Sequence, residues 1–123
     1  MALVKQVAKK VKMTKWDIVR YQLLTHCYLN KISVSEADLN CLTYLALEGD
    51  QELTSFCHKA HIKHIFNSIQ SVRNCLTKAE KKKLIRKEGK NKKKIYIHPD
   101  IGVHAEGNIL LDFKFLSVET QES

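Results

Sequence analysis

The spacing of apolar residues changes abruptly near residue 83, and this change limits the folds open to the chain. From Ser68 to Lys82 apolar residues recur every three to four positions, which predicts a helix with one buried face and Ser68 as its N-cap. After Lys82 come two short segments that contain apolar pairs, LIRKEG and KIYI, separated by the basic segment GKNKKK. This pattern predicts two strands joined by a lysine-rich loop, with Pro99 ending the second strand.

Three more helices are predicted upstream from apolar residues at helical spacing, and the first two also have an N-terminal signal, at Thr14 and Ser35. Thr14 followed by Asp17 has the pattern of a capping box, and Gly49 is a helix stop signal. The predicted elements are helices over 14–30, Ser35 to Gly49 and Gln51 to about Ala60, and a last strand over 108–118.

Spacing also indicates which faces of the helices are buried. In the first helix Trp16, Val19, Leu23, Leu24 and Cys27 are expected on one inward stripe. Aromatic residues inside the helices are expected in the core, rather than as a platform on which single-stranded bases stack. They are Trp16, Tyr21, Tyr28 and Tyr44, whereas Tyr96, on a predicted strand, is a candidate contact residue.

Composition is that of one globular domain. The 123 residues are 44% apolar and 28% charged and include one proline, which suits a single packed core. The four cysteines, at 27, 41, 57 and 75, have no paired spacing, which favours reduced, buried thiols. Lysines interrupt the first apolar residues, so neither a secretory signal nor a membrane span is predicted and the protein is expected in the cytoplasm.

Positive charge is concentrated in two segments. The formal net charge is +8, of which residues 1–16 contribute +5 and residues 78–94 contribute +8, whereas 17–77 contribute −1 and 98–123 contribute −4. Clustered cations raise the local concentration of an anionic partner and accelerate encounter. DNA, RNA or an acidic protein would each fit this pattern, and a merely solubilising surface is the other interpretation.

The order helix, helix, short helix, turn, long helix, strand, basic loop, strand resembles a winged-helix domain. SIQSVRNCLTKAEKK resembles its recognition helix and KLIRKEGKNKKKIYI its hairpin, the wing. The resemblance implies an α+β domain over 14–118, between a basic arm at 1–13 and an acidic tail at 119–123. It also implies that the helix enters the major groove of DNA while the wing contacts the adjacent backbone. The residues it places there are Gln70, Ser71, Arg73, Asn74, Lys78, Lys81, Lys90, Asn91, Lys92, Lys93 and Lys94, with Arg73 and Asn74 reading base edges.

The C-terminal segment YIHPDIGVHAEGNILLDFKF is similar to the ending of plasmid replication initiators of the RepL type, and the similarity covers about 35–116. Two features depart from the family. Lys83 stands where a glycine usually ends the recognition helix, which costs about 1 kcal/mol in a left-handed conformation. The turn over 61–67 is longer than in a compact helix-turn-helix. Only three arginines occur, so contact with phosphates is expected more than base recognition.

Other kinds of site fit the sequence less well. Cys57, His58, His61 and His64 include zinc-binding residue types, but their spacing is not that of a zinc finger, so no metal is predicted. The sequence has no Gly-rich phosphate loop, paired-carboxylate motif or nucleophile elbow, so neither an enzyme nor a cofactor is predicted.

Two functions follow from these observations. The first is a DNA-binding regulator or replication factor from a phage or another mobile element, with dimerisation as a way to read two half-sites. The alternative is a bacteriophage virion or connector protein that uses the winged-helix fold as an assembly scaffold. In that case the basic arm and acidic tail would pair between neighbouring subunits, and the protein would be located in the virion.

Overall fold

A computed structural model describes residues 12–106 with their side chains, and the backbone of two strands outside that range, Leu3–Val7 and Phe113–Ser117. Within these residues the chain is α+β, with four helices and a three-stranded antiparallel sheet, as the predicted class requires. No helix in this part of the chain is both long and apolar enough to cross a bilayer.

Local capping signals set the starts of the first two helices. Helix α1 is Lys15–Leu29, and Thr14 Oγ1 accepts a hydrogen bond from Asp17 N–H at 3.2 Å while the Asp17 carboxylate accepts from Thr14 N–H. Helix α2 is Glu36–Glu48, and its first turn is capped in the same way by Ser35. Each cap satisfies a backbone donor that has no partner within the helix. Both predicted starts are confirmed.

Helix α1 buries a narrower stripe than its sequence predicts. Val19, Leu23 and Cys27, spaced four residues apart, are fully buried. Leu24 and Tyr28 each follow one of these residues, so they lie about 100° around the helix. They are 44% and 81% exposed. The expectation that both side chains lie in the core is therefore wrong.

Helix α2 is the centre of the domain. It contacts α1 and also the elements that follow it in the chain. Leu39, Leu42 and Leu45 are buried, and so is Thr43, whose hydroxyl donates to the Leu39 carbonyl at 2.8 Å. Because the Thr43 hydroxyl has a hydrogen-bond partner, its burial does not leave an unsatisfied donor in the core.

The third helix begins later than predicted. Gln51–Glu52 form a short strand, β2, and helix α3 is Leu53–Ile62. The Glu52 carboxylate accepts hydrogen bonds from Thr54 N–H and Ser55 N–H at 3.2 and 2.9 Å. An acidic side chain in this role is an N-cap, so Glu52 itself stays extended and its backbone is available for pairing with another strand.

Helix α4 is Ile69–Lys81 and Ser68 caps it, as predicted. Its apolar side chains recur at helical spacing and anchor one face in the core, so the opposite face is left to polar side chains. The buried residues are Val72, Cys75, Leu76 and Ala79.

The two strands predicted after α4 form an antiparallel hairpin. They are β3, Ile85–Glu88, and β4, Lys94–Ile97. Strand β2, which the sequence does not predict, pairs with the other side of β4, giving the sheet order β2-β4-β3. Ile85 and Ile95 are buried against α2 and α4, so the hairpin is fixed to the helices at its base.

A separate antiparallel pair joins the two ends of the described chain. Strand β1, Leu3–Val7, pairs with strand β5, Phe113–Ser117. Strand β5 falls within the predicted strand over 108–118, whose remaining residues lie outside the described part of the chain. Strand β1 falls in the segment that the sequence assigns to a basic arm and was not predicted. The predicted acidic tail, 119–123, is outside the described residues.

Candidate nucleic-acid interface

The outward face of α4 carries the polar residues predicted there. Gln70, Asn74, Lys78 and Lys81 are exposed, and Ser71 and Arg73 are half-buried. The apolar residues of the opposite face are anchored in the core, so the helix cannot rotate to bury this polar face without exposing them. The polar face is therefore a fixed feature of the surface.

Amide and hydroxyl groups order the first two turns of this face. Gln70 Nε2 donates to Asn74 Oδ1 at 3.0 Å. The Ser71 hydroxyl lies 2.9 Å from that of Ser68, the N-cap. The Asn74 amide oxygen is thus already engaged, and its amino group is the part that remains to donate to an acceptor outside the chain.

Arg73 connects α4 to the hairpin through α3. Its guanidinium Nη2 donates to Thr54 Oγ1 at 3.4 Å. The neighbouring residue, Leu53, donates its backbone N–H to the Lys93 carbonyl at 2.6 Å. The first turn of α3 therefore lies between Arg73 and the lysine loop, and the face of α4 and the hairpin approach each other at this point.

Lys78 is the predicted contact residue that is most strongly held by the protein itself. Its Nζ lies 3.3 Å from Asp38 Oδ2, and the Asp38 side chain is only 12% exposed. Burial opposes the charged form of Asp38, but hydrogen bonds from Cys75 and Lys78, together with the Lys78 charge, hold the pKa of Asp38 below its ordinary value. An incoming phosphate would have to compete with this carboxylate for Lys78.

The turn of the hairpin presents lysines with few internal partners. Lys90, Lys92 and Lys93 are exposed and have no ion-pair partner among residues 12–106. Lys94 lies 3.2 Å from Asp50, whose hydrogen bond and charge raise the pKa of Lys94. Asn91 has a φ of 61°, a left-handed conformation that asparagine tolerates better than most residues. The available positive charge is therefore at the tip of the loop rather than at its base.

Three exposed cations next to the predicted set were missed. Lys82 and Lys83 follow α4, and Lys82 Nζ donates to the Ser33 carbonyl. Arg86 on β3 pairs across the hairpin with Tyr96. Tyr96 itself donates a hydrogen bond to Glu88, so its hydroxyl is engaged within the hairpin. The signal that could have found these cations is the charge count, because all three belong to the basic segment 78–94.

The cysteine and histidine residues of α3 point in different directions. Cys57 is fully buried, whereas His58 and His64 are exposed. Within the described part of the chain no three potential ligands of a metal ion are grouped together. The four cysteines are free and buried, as predicted, and burial raises the pKa of both Cys27 and Cys57.

The remaining aromatic residues are divided between core and surface. Tyr44 is buried and stacks on Phe56 with the ring centroids 5.6 Å apart, so its predicted core position is confirmed. Trp16 and Tyr21 are half-buried. Tyr28, on the same helix as these two, is exposed, whereas the buried Tyr44 is not accessible to a base, so the four residues do not form one stacking platform.

Known proteins add nothing to this picture. Comparisons with protein-family models, curated proteins and solved structures give no match. The function of this chain is therefore inferred from its own geometry.

Proposed function

We propose that this chain is a winged-helix protein that binds duplex DNA, mainly through the phosphate backbone. The element order supports the proposal, because the helices are followed by a long helix and then by a hairpin with a basic turn, β3–β4. Strand β2 adds a third strand to this hairpin in the order β2-β4-β3. In this proposal α1 is an additional N-terminal helix, α4 is the recognition helix and the β3–β4 hairpin is the wing.

The observation that carries the proposal is the connection from Arg73 through Thr54 and Leu53 to Lys93. Through these two hydrogen bonds, Arg73 of α4 and Lys93 of the lysine loop both contact the first turn of α3. A helix in the major groove and a loop on the adjacent backbone need this arrangement, because the two contacts must be made at once.

The internal hydrogen bonds and ion pairs support different roles for the residues of this surface. In the proposal the Asn74 amino group reaches base edges, since amide groups can donate and accept there. Lys81, Lys90, Lys92 and Lys93 contact phosphates. They lack ion-pair partners among the described residues, unlike Lys78 and Lys94. Lysine is a point charge without a planar fork, so this set favours affinity over sequence selectivity.

The proposal predicts how steeply the affinity for DNA falls as the salt concentration rises. Each neutralised phosphate contributes a slope of about −0.9 to a plot of log affinity against log salt. Four lysines that bind phosphates therefore predict a slope of about −4. The measurement is a titration of a fluorescent duplex by anisotropy at several salt concentrations.

A matched pair of variants tests the position of the contact. Lys90→Gln with Lys92→Gln removes two charges from the loop, and Lys12→Gln with Lys31→Gln removes two exposed charges elsewhere. The loop variant is expected to bind several-fold more weakly with a slope less steep by about 2, whereas the control changes much less. Equal effects of the two variants would mean that only net charge matters, and the proposal would fail.

The assembly alternative predicts a different outcome in the same experiments. A scaffold protein would form a defined multimer without DNA, and its duplex binding would be weak at every salt concentration. Measuring the mass of the chain in solution beside the titration separates the two functions.

A further inference from the structure

An open groove of about 870 Å³ runs along one face of α2 and contains none of the residues proposed to contact DNA. One wall consists of the α2 residues Glu36, Ala37, Asn40, Tyr44, Leu47 and Glu48. Their spacing places them within about 120° of the helix circumference. Trp16 of α1 and the turn at 63–65 line the rest. We call this space the α2 groove.

The two carboxylates of the α2 groove lie at its opposite ends. Glu36 and Glu48 are the first and last residues of α2, so their backbones are about 18 Å apart along the axis. Both are exposed, and neither has an ion-pair partner among residues 12–106. The Tyr44 ring lies beside Glu48; burial first, and then this carboxylate, raise the pKa of Tyr44. Two separated negative charges favour an elongated ligand with cations at its ends.

Apolar side chains also line the α2 groove. Trp16 is half-buried and Leu47 is 36% exposed, so both present apolar surface to the space between the carboxylates. Tyr44 is held in place by its stacking on Phe56. Burying apolar surface there is favourable, and the face of an indole attracts an ammonium group.

We propose that the α2 groove binds a linear aliphatic polyamine whose terminal ammonium groups pair with Glu36 and Glu48 and whose methylene chain contacts Trp16 and Leu47. Charge complementarity selects this occupant, because two carboxylates and one lysine line the groove and apolar side chains of α2 lie between the carboxylates along the helix. Lys63 on the facing wall opposes cation binding and limits the affinity. Binding here is independent of the DNA surface and can be tested without DNA.

Trp16 provides a direct readout, because it is the only tryptophan in the chain. The probes are 1,12-diaminododecane and 1,4-diaminobutane, which carry the same charge but differ in length. The long diamine is expected to change the tryptophan fluorescence saturably and to bind more tightly than the short one, which cannot reach both carboxylates. Equal affinities would show that charge alone drives binding and would overturn the proposal.

Dodecanedioate supplies the opposite control, since it has a chain of the same length with carboxylates at its ends. Binding of dodecanedioate as tight as that of the diamine would assign the groove to an anionic amphiphile and would also overturn the proposal. The wild-type chain serves for all three ligands, so these comparisons do not depend on the folding of a variant.

Variants then locate the diamine. Glu36→Gln with Glu48→Gln is expected to weaken binding of the long diamine by about threefold to tenfold, the range for two exposed ion pairs. Lys63→Gln is expected to strengthen it by about twofold. Asp50→Asn with Asp100→Asn removes two carboxylates outside the α2 groove and is expected to leave the affinity unchanged. An unchanged affinity in the Glu36 and Glu48 variant would contradict the assignment.

Discussion

Replacing Lys83 with glycine is expected to stabilise the protein. Lys83 has a φ of 60° and follows the last residues of α4. Its N–H donates to the Glu80 carbonyl at 3.0 Å, and the N–H of Leu84 donates to the Ala79 carbonyl at 2.9 Å. This pair of hydrogen bonds is a Schellman motif, in which the left-handed position normally belongs to glycine.

The same motif ends two more helices without glycine. Lys31 after α1 has a φ of 57°, and His64 after α3 has a φ of 59°. In each case the following residue is an isoleucine whose N–H donates back into the helix, to Cys27 or to Ala60. The backbone cost therefore occurs three times in the described part of the chain.

Two opposing effects set the size of the stabilisation expected for Lys83→Gly. A left-handed conformation costs a residue with a Cβ about 1–2 kcal/mol, and glycine loses about 0.5–1 kcal/mol more backbone entropy on folding. Lys83→Gly should therefore raise the free energy of unfolding by about 0.5–1 kcal/mol. At about 4 °C per kcal/mol for a domain of this size, the melting temperature should rise by about 2–4 °C.

Urea unfolding followed by far-ultraviolet circular dichroism measures this change. The control is Lys82→Gly, which removes the same charge one residue earlier, where φ is −86°, together with the hydrogen bond from Lys82 Nζ to the Ser33 carbonyl. That variant should be destabilised, because glycine gains nothing at a negative φ. Combining glycine at 31, 64 and 83 should give nearly additive stabilisation, since the sites end different helices. The reasoning is refuted if Lys83→Gly is no more stable than the wild type or behaves like Lys82→Gly.

Three further predictions concern the interior. Asp38→Asn should lower the free energy of unfolding by about 1–3 kcal/mol. The fold lowers the pKa of Asp38 below its unfolded value of 3.8, so the stability that this carboxylate contributes is present above that pH and is lost as the pH falls below it. Between pH 4 and pH 2 the variant should therefore lose less stability than the wild type. The four thiols should not react with Ellman's reagent in the native state at pH 8 and should all react in urea, and rapid native reaction would contradict their burial. Leu76→Ala should lower the free energy of unfolding by about 2–5 kcal/mol, whereas Leu29→Ala, at a side chain that is 72% exposed, should lower it by less than about 1 kcal/mol. Equal decreases in the melting temperatures of the two variants would contradict the assigned core.

Local signals in the sequence located most of the helices. The N-caps at Thr14, Ser35 and Ser68 act on backbone groups two or three residues away, so short motifs identify them. The hairpin was predictable for a similar reason, because a basic turn separates two short apolar runs. In α4 the apolar spacing alone distinguished the buried face from the exposed one.

Features that depend on distant partners were not predictable. Strand β2 forms through the pairing of Gln51 and Glu52 with β4, more than forty residues later in the chain. No local sequence motif predicts this pairing. Lys78 looks like a free cation in the sequence, yet the fold places it on Asp38. The glycine-free helix ends could not be read from residue types, since lysine and histidine rarely adopt a positive φ.

The chemical shifts of backbone amides test the central claim most directly. A nitrogen-15-labelled chain is titrated with a short duplex, and the account predicts that the amides of Gln70, Asn74 and Lys92 shift together at the same DNA concentrations. Those of Tyr28 and Ile62, exposed on other elements, should stay in place. Shifts confined to one of α4 and the hairpin, or spread evenly over the exposed lysines, would contradict a single DNA-binding surface.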